Sequence, residues 1–330
     1  MPEPRLDVLC IGNAIVDVIA NAGDDFLTAE GLVKGSMRLI DADEAERLYA
    51  HMGPAHQVSG GSAGNTAAGV AALGGRAGFI GQVAPDQLGE FYRHDLTSTG
   101  VEFITRPGDV GQPTARSMIL VTPDGHRTMN TFLGAAQHLP ASALDEEQIG
   151  DAAILYLEGY LWDPQTPRHA MVRAIQVARD AGRKVAFTLS DTFCVDRHRD
   201  GFNKLLDGRH VDILFANQAE IEALAGVAHL DSAVAAIAPK VETLVVTRSE
   251  EGALATRGGE RADVAAEPIK ALVDTTGAGD LFAAGFLLGT ARGKSLEQSL
   301  RLGAICAAEV IQHYGARPEA DLRALAGDLA

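Results

Sequence analysis

The segment VDTTGAGD, residues 273–280, carries the strongest signal for fold and chemistry in this chain. Its two glycines, Gly277 and Gly279, let the backbone turn sharply and approach a ligand closely. The apolar segment that follows, residues 281–291, predicts a buried helix. The amides of Gly277, Ala278 and Gly279 would then lie at a helix start, where unpaired N–H groups and the positive end of the helix dipole bind anions.

Asp280 ends this segment, and a carboxylate beside an anion site repels phosphate. It is useful there if a substrate hydroxyl must lose its proton while attacking a phosphoryl group. The structural alternative is that Asp280 only complements the helix dipole and that the glycines only form a turn. A dinucleotide-binding motif is excluded, because Phe282 stands where G-x-G-x-x-G requires its last glycine.

Outward from this segment, short apolar runs alternate with helical patterns. The predicted buried strands are residues 7–11, 77–80, 153–157, 185–188, 213–216 and 243–247. The predicted helices between them are residues 63–73, 87–99, 166–181, 219–225 and 232–238. Repeated strand–helix–strand units predict a mainly parallel sheet that is covered by helices on both faces.

Four strand-like segments do not fit this alternation: residues 14–20, 38–40, 115–121 and 127–132. The last two flank the sequence Pro123-Asp124-Gly125, which is typical of a hairpin turn. We expect all four in one small discontinuous sheet, built from about residues 13–42 and 100–135, that acts as a lid. The rest of residues 1–330 would form the α/β body of the same single unit.

Composition and charge exclude several classes of protein. Hydrophobic residues make up 46% of the chain, which argues against disorder, and the formal charge of −16 argues against binding nucleic acid or an anionic membrane by bulk charge. No apolar run approaches the ~20 residues of a membrane span. The three cysteines are far apart and form no C-x-x-C motif, which is typical of a reducing compartment. We expect a cytoplasmic protein.

A second glycine run, GGSAGN at residues 60–65, also enters a predicted helix. Gly60 and Gly61 permit close backbone contact, and Asn65 offers a donor and an acceptor to a pair of sugar hydroxyls. The alternative is a flexible turn with Ser62 as the helix N-cap.

Asn13 and Asp17 are two polar residues in an apolar, strand-like run. They lie four residues apart, so a strand would place them on one face. A carboxylate on that face could accept hydrogen bonds from the vicinal hydroxyls of a sugar. The alternative is a solvent-facing edge of the lid strand.

These motifs together resemble the ribokinase-like family, the phosphofructokinase B type of carbohydrate and nucleoside kinases. The matching segments are residues 60–67, Asn217-x-x-Glu220 and residues 274–280, in family order and at family-like spacing. The resemblance covers essentially the whole chain. It implies a Rossmann-like, three-layer α/β/α body with a small β-sheet lid.

The resemblance also implies catalytic and cofactor roles. Asp280 would be the base that activates the acceptor hydroxyl, and the amides of residues 277–279 would hold the transferring phosphoryl group. Asn217 and Glu220 would organise Mg²⁺ through water near ATP.

Further nucleotide and ion contacts follow from the same resemblance. Thr247 would contact the ATP phosphates, although Ser249 replaces the first glycine of the family pattern T-x-G-x-x-G and only Gly252 is retained. Asp274 and Thr276 fall where several members bind a monovalent cation such as K⁺.

Within the family, residues 12–17 (GNAIVD) resemble the G-N-x-x-x-D of adenosine kinases, whose Asp holds the ribose hydroxyls. Residues 127–136 resemble their lid strand, so side chains there and one on the body could wall an adenine. The substrate contacts implied in this way are Asn13, Asp17, Gly60, Gly61, Asn65, Met129, Leu133 and Tyr160.

The expected function is therefore an ATP- and Mg²⁺-dependent kinase acting on a primary hydroxyl, the 5′-OH of adenosine being favoured. The alternatives are a sugar kinase for ribose, fructose or a 2-keto-3-deoxy sugar acid, and a non-catalytic nucleoside sensor on the same scaffold. No basic residue is predicted beside residues 60–65, which disfavours a phosphorylated sugar; Arg106, Arg116 and Arg127 could bring positive charge with the lid or simply be solvated. Either a monomer or a homodimer is compatible with this reading.

Overall fold

The computed structural model describes residues 3–330, and its elements are numbered here in chain order. The strands are β1 (Leu6–Ile11), β2 (Ile15–Asn21), β3 (Met37–Leu39), β4 (Ala55–Gly60), β5 (Ala77–Ile80), β6 (Ala115–Val121), β7 (Arg127–Phe132), β8 (Ala152–Glu158), β9 (Lys184–Thr188), β10 (Ile213–Asn217), β11 (Thr243–Thr247), β12 (Ala253–Arg257) and β13 (Glu260–Val264). The α-helices are α1 (Asp24–Ala29), α2 (Ala42–His51), α3 (Ser62–Ala72), α4 (Gln87–Ser98), α5 (Glu146–Gly150), α6 (Gln165–Asp180), α7 (Thr192–Asp207), α8 (Gln218–Ala225), α9 (Leu230–Ile237), α10 (Ala278–Ala291), α11 (Leu296–Val310) and α12 (Leu322–Ala326).

An eight-stranded sheet forms the centre of the body, in the order β13-β12-β11-β10-β9-β8-β1-β5. All neighbours from β11 to β5 pair in parallel, and β12 and β13 extend one edge antiparallel. The six strands predicted from apolar runs are the six parallel strands. The mainly parallel sheet is therefore confirmed, and β12 and β13, which are more polar, are additions that the apolar pattern did not indicate.

Helices cover both faces of this sheet. In β1, Val8 and Cys10 pack with α3, α10 and α11, whereas Leu9 and Ile11 pack with the core formed by α6, α8 and α9. Alternate residues of a strand point to opposite faces, so an unbroken apolar run such as β1 requires cover on both sides. The predicted three-layer α/β/α body is confirmed.

A second, five-stranded sheet has the order β3-β7-β6-β2-β4. It contains the four segments predicted to form a small sheet and adds β4, whose sequence AHQVSG lacks a clear apolar alternation. On one face, Met118 and Leu120 pack against Ala45 and Leu48 of α2. The end of β4 leads directly into the glycine run before α3, so this sheet and the body are joined at that point.

Small residues let α10 pack closely against its neighbours. A Cβ added at Gly69 of α3 would lie 2.7 Å from the Ala284 Cβ, and one added at Gly285 would lie 2.6 Å from the Leu302 carbonyl oxygen of α11. Such short contacts leave no room for a side chain at either glycine. The N-terminus of α10 is consequently held at a fixed position beside α3.

Among residues 3–330, no single helix is long and apolar enough to cross a membrane. Helices 218–225 and 230–240 reach the necessary length and composition only together, across a bend of 62°. Both contribute apolar side chains, including Ile221, Leu224 and Ile237, to the core of the body.

We predict that Gly285→Ala lowers the free energy of unfolding by about 1–3 kcal/mol, because the added Cβ meets the α11 backbone. The gain in helix propensity, at most about 1 kcal/mol, offsets this only in part. Gly53→Ala is the control, since a Cβ there meets nothing within 4 Å and should change stability by less than about 0.5 kcal/mol. Urea unfolding followed by circular dichroism measures both; equal midpoints would contradict the packing argument.

Candidate active site

The N-terminus of α10 has the geometry of an anion site. Gly277 has φ of +79°, and a Cβ there would lie 2.5 Å from the Ala316 side chain, so only glycine suits this position. The first intrahelical bond runs from the Leu281 amide to the Gly277 carbonyl. The Ala278 amide, which was also predicted to bind the anion, instead donates to the Thr275 carbonyl at 3.2 Å, so the anion site is narrower than predicted. The part of the chain that the structure describes supplies no partner for the Gly277 and Gly279 amides.

Asp280 lies in the first turn of α10, and both of its carboxylate oxygens accept a hydrogen bond. Ser62 Oγ donates to Oδ1 at 2.6 Å, and Asn65 Nδ2 donates to Oδ2 at 2.9 Å. Both donors come from the first turn of α3. The two glycine runs, which were predicted separately, therefore lie in contact. Ser62 hydrogen-bonds to Asp280 and does not cap α3, because Gly61 occupies the N-cap position of that helix.

The ionisation of Asp280 reflects opposing influences. Burial raises the pKa of this carboxyl, while the hydrogen bonds from Ser62 and Asn65 and the positive charge of Arg317 lower it. Each carboxylate oxygen has two lone pairs and uses one of them within the protein, so an incoming hydroxyl still finds an acceptor. This arrangement suits a general base.

The predicted acceptor-binding residues converge close to Asp280. A Cβ added at Gly60 would lie 2.4 Å from Asp17 Oδ2, and one added at Gly61, where φ is +85°, would lie 2.1 Å from the Asn13 carbonyl oxygen. Side chains at these glycines would fill space that Asp17 and Asn13 occupy. Glycine is therefore required at positions 60 and 61 so that Asp17 and Asn13 can lie close to the backbone there. A flexible turn alone would not require glycine at these two positions.

Asn13 does not lie in a strand, so the prediction that it shares a strand face with Asp17 is wrong. β2 begins at Ile15, and Asn13 belongs to the connection from β1. Its backbone N–H and its Nδ2 both donate to Glu158 Oε1 at 2.7 Å, and the Ala63 amide donates to Glu158 Oε2 at 2.8 Å. A buried carboxylate at the end of β8 thus holds Asn13 against the start of α3.

Burial raises the pKa of two carboxyl groups near Asp280, those of Asp17 and Glu158. It raises the pKa of Asp17 to about 7, against the lowering effect of Arg317 and Arg127. It also raises the pKa of Glu158 to about 7, against three hydrogen bonds from Asn13 and Ala63. Both groups therefore titrate near neutral pH.

Asn217 and Glu220 form a capping box at the start of α8. Asn217 Oδ1 accepts from the Glu220 amide at 2.9 Å, and Glu220 accepts from the Asn217 backbone N–H at 3.0 Å and from its Nδ2 at 2.6 Å. Thr247 is the register partner of Asn217 on β11, so the two lie side by side where parallel strands end. Burial raises the pKa of Glu220 to about 7.

The turn after β11 contains the departure from the family pattern. Ser249 has φ of +51°, in the left-handed region that glycine adopts without strain and serine only at a cost. Gly252 has φ of +85°, and a Cβ there would lie 2.0 Å from the Val264 carbonyl oxygen. The retained glycine is the one that no side chain could replace.

The oxygen atoms of Asn217 and Glu220 are chemically suited to Mg²⁺, which in kinases is held by few protein oxygens, by waters and by substrate phosphates. Nowhere in residues 3–330 do three or more His, Cys, Asp or Glu side chains group closely enough to hold a metal ion. The donor set fits a metal held through water and phosphate, which is the role implied by the family resemblance.

Asp274 is buried and surrounded by protein donors. Its Oδ1 accepts from the backbone N–H and the hydroxyl of Thr276, at 3.0 and 2.8 Å. Its Oδ2 accepts from the Gly315 amide at 2.9 Å and lies 2.7 Å from Arg127 Nη1. The guanidinium of Arg127, on β7 of the small sheet, thus contacts both Asp274 and Thr276, the two residues predicted to bind a monovalent cation. This contact joins the small sheet to the body.

The other two arginines of the small-sheet region have different surroundings. Arg106 is exposed, and the carboxylate nearest to Arg116 in an ion pair is Glu46, at 3.9 Å. Of these three arginines, Arg127 is the one that contacts the residues just before α10, namely Asp274 and Thr276.

The residues predicted to wall an adenine lie on different elements. Met129 is half-buried on β7, and Leu133 lines a cavity of 280 Å³ with Leu39 and Thr131. Tyr160 lies on the body, where its hydroxyl donates to the Ser190 carbonyl at 3.3 Å, and burial raises its pKa well above the usual range.

Three residues of the site were not predicted in these roles: Ser62, Glu158 and Arg317. Arg317 Nη1 donates to Asn65 Oδ1 at 2.8 Å, so the expectation that no basic residue lies beside residues 60–65 is wrong. Glu158, an acid at the end of an apolar strand, carried a signal that could have been used. Arg317 carried none, because it follows the last long helix in a short connection.

Comparison with known proteins agrees with this geometry. Residues 6–322 match the family described as pfkB family carbohydrate kinase. The adenosine kinase from Sinorhizobium meliloti is 50% identical, with a TM-score of 0.91 over 99% of this chain and 100% of that chain. A probable sugar kinase protein from Rhizobium etli CFN 42 is 48% identical, with a TM-score of 0.91 over 98% of each chain.

More distant relatives also match over most of their length. Adenosine kinase from Saccharomyces cerevisiae is 28% identical over 93% of this chain and 95% of its own length. The motifs at both glycine runs and the extent of the family match agree with one another. The chain therefore belongs to the pfkB family of carbohydrate kinases.

Proposed function

We propose that this protein transfers the γ-phosphoryl group of ATP to the 5′-OH of adenosine. The observation that carries the proposal is the Asp280 carboxylate, held by Ser62 and Asn65 at the start of α10 beside the Gly277 and Gly279 amides. A base aimed into an anion site suits phosphoryl transfer to a hydroxyl. A nucleoside sensor without catalysis would have no use for it.

In the proposed reaction Asp280 accepts the proton of the acceptor hydroxyl, whose oxygen bonds to the γ-phosphorus as the bond to the ADP oxygen breaks. The Gly277 and Gly279 amides and the positive end of α10 stabilise the charge on the transferring group. Mg²⁺, when bound with ATP near Asn217 and Glu220, would supply further positive charge to the phosphates. The transfer needs no excess of basic residues.

The acceptor side supports a neutral, hydroxyl-rich substrate. Asp17 and Asn65 offer acceptors and donors for vicinal hydroxyls, and Gly60 lets the Asp17 carboxylate lie close to the start of α3. Arg317 is the basic group in contact with Asn65, and its guanidinium already donates to Asn65 and Ser59. With the carboxylates of Asp17 and Asp280 nearby, the pocket disfavours an acceptor that already carries phosphate. The relative named adenosine kinase at 50% identity favours a nucleoside.

A monovalent cation at Asp274 and Thr276 stays part of the proposal. The Arg127 guanidinium already neutralises Asp274, so such an ion would have to displace it or bind beside it. Activity measured in K⁺ against activity in a tetraalkylammonium salt tests this point.

The second candidate is a sugar kinase that uses the same base. It is favoured by the Rhizobium etli protein named probable sugar kinase and by a Klebsiella pneumoniae fructokinase that is 30% identical over 71% of this chain and 78% of its own length. Asp280 and the α10 amides would act in the same way on either acceptor.

The decisive experiment is an acceptor panel with ATP and Mg²⁺. We expect kcat/KM for adenosine to exceed that for ribose, fructose and 2-keto-3-deoxygluconate by at least about 10²-fold. ADP release measures the rate, and mass spectrometry identifies the product. 5′-Deoxyadenosine is the matched control, which should bind without being phosphorylated. Faster turnover of a free sugar would establish the second candidate instead.

We predict that Asp280→Asn lowers kcat by about 10²–10⁴-fold while KM for the acceptor changes little, because the amide cannot take the proton. Glu297→Gln is the control: Glu297 is an exposed acid in the first turn of α11, so it tests the purely dipolar role. Similar kcat values in both variants would reject Asp280 as the base.

The raised pKa of Asp17 predicts a pH dependence of acceptor binding. The carboxylate is ionised above about pH 7 and accepts hydroxyl donors best in that form, so kcat/KM for the acceptor should fall as pH decreases through about 7. Asp17→Asn should weaken this fall and leave the part that protonation of the base Asp280 contributes. Glu220→Gln should keep it, although burial raises the pKa of Glu220 to about 7 as well. An unaltered profile in Asp17→Asn would exclude Asp17 as its source.

A further inference from the structure

The segment after α11 returns to the active site and contacts it at three successive residues. The Gly315 amide donates to Asp274 Oδ2 at 2.9 Å. The Ala316 side chain occupies the space beside Gly277 that a Cβ would need. Arg317 reaches past this loop to α3 and β4. We call residues 315–317 the C-terminal strap.

Arg317 uses its guanidinium to join two elements of the acceptor side. Its Nη1 donates to Asn65 Oδ1 at 2.8 Å, and its Nη2 donates to the hydroxyl of Ser59 at 3.0 Å and to the Ser59 carbonyl. Ser59 immediately precedes the glycine run, and Asn65 is only 5% exposed. The guanidinium is therefore enclosed between the end of β4 and the first turn of α3.

The two neighbours of the Asn65 amide allow only one orientation of that amide. Arg317 can only donate, so it must face the Asn65 oxygen, and an ionised Asp280 can only accept, so it must face the Asn65 nitrogen. The structure has this arrangement, with Nδ2 at 2.9 Å from Asp280 Oδ2. Without Arg317 the amide could turn over and present its oxygen to the carboxylate, which would be repulsive.

We propose that Arg317 is a positioning residue for phosphoryl transfer, which fixes the Asn65 amide so that it donates to Asp280 and holds the base in place. The inference rests on the proposed function, because it assigns a role relative to the base of that reaction. Arg317 acts through Asn65 and is not assigned a contact with acceptor or nucleotide.

The charge of Arg317 supports the same role. It lowers the pKa of Asp280 and that of Asp17, against the effect of burial. Other titratable groups are close enough to Asp280 to interact with its charge: Cys10 on β1, Asp17 on β2, Tyr156 and Glu158 on β8, and Tyr160. All of these side chains are retained in a variant of Arg317. Because Arg317 also acts on Asp17, the titration of Asp280 has to be followed at the Asp280 carboxyl itself.

Two substitutions separate the geometry from the charge. Arg317→Lys keeps the charge but cannot reach Asn65 and Ser59 with one planar fork, so kcat should fall by about 10-fold or more while the acid limb of kcat stays in place. Arg317→Gln keeps a donor for Asn65 but loses the charge, so the acid limb should move up by about one pH unit. In both variants KM for the acceptor should change less than kcat.

Arg168→Gln is the matched control. Arg168 is also half-buried and donates two hydrogen bonds to backbone carbonyls, those of Trp162 and Asp163, whereas the side chains that donate to Asp280 are Ser62 and Asn65. Its variant should keep the wild-type kcat and acid limb. Ser59→Ala is a milder second variant should Arg317→Gln not fold: it removes one acceptor of the guanidinium, so kcat should fall with the acid limb unchanged.

A readout without turnover distinguishes this inference from the proposed function. Carbon-detected NMR titration of the Asp280 carboxyl should give a higher pKa in Arg317→Gln than in the wild type and in Arg168→Gln. A wild type that phosphorylates no acceptor but shows this difference would reject the proposed function and keep the positioning of Asp280 by Arg317. Equal pKa values, together with kcat and KM that match the wild type or fall in parallel, would overturn the inference.

Discussion

The active site depends on the contact between the first turns of two helices. Asp280 of α10 accepts hydrogen bonds from Ser62 and Asn65 of α3, and these bonds form only because glycine and alanine let the two helices approach closely. Hydrogen bonds to a charged group are stronger and more directional than neutral ones, so they define the position of the carboxylate. The Asp280 carboxylate, the amides at the start of α10 and the glycine run before α3 are therefore held in position by the same contact between helices.

Two arginines lie near the buried carboxyl groups around this contact and offset part of their charge. Asp17, Glu158 and Asp280 would each be costly to ionise alone, because burial in a region of low dielectric disfavours the charged form. Arg317 and Arg127 offset part of that cost. The chain carries a formal charge of −16, yet the proposed anion site consists of backbone amides at a helix terminus, while both guanidinium groups contact protein side chains. Net charge describes the surface of this protein and says little about the pocket.

The small sheet is tied to this arrangement by two different kinds of contact. The chain runs directly from β4 into the glycine run before α3, which is a covalent connection. Arg127 of β7 adds an ion pair with Asp274. The Arg127 side chain is 8% exposed and the Asp274 side chain is 5% exposed. A buried ion pair holds its partners in register, but it is weak evidence for stability, because desolvation of both charges opposes their attraction.

The amino-acid sequence by itself determined the fold class and the main chemical groups. Apolar runs of strand length between amphipathic helices specify a covered parallel sheet, and the glycine segments with Asp280 predict an anion site with a base, because these signals are local in the chain. Polar strands such as β13 and short elements such as α1 carried no such periodicity and were not predicted.

Only the tertiary structure decided which residues surround that base. Asn13 and Glu158 are 145 residues apart, and Asn65 and Arg317 are 252 residues apart, so no local pattern connects them. Their contacts arise because the crossovers of a parallel sheet bring the ends of β1 and β8 together and because α11 returns the chain to the start of α10. The sequence thus determined the reactive groups, whereas the packing of distant segments determined their orientation and charge.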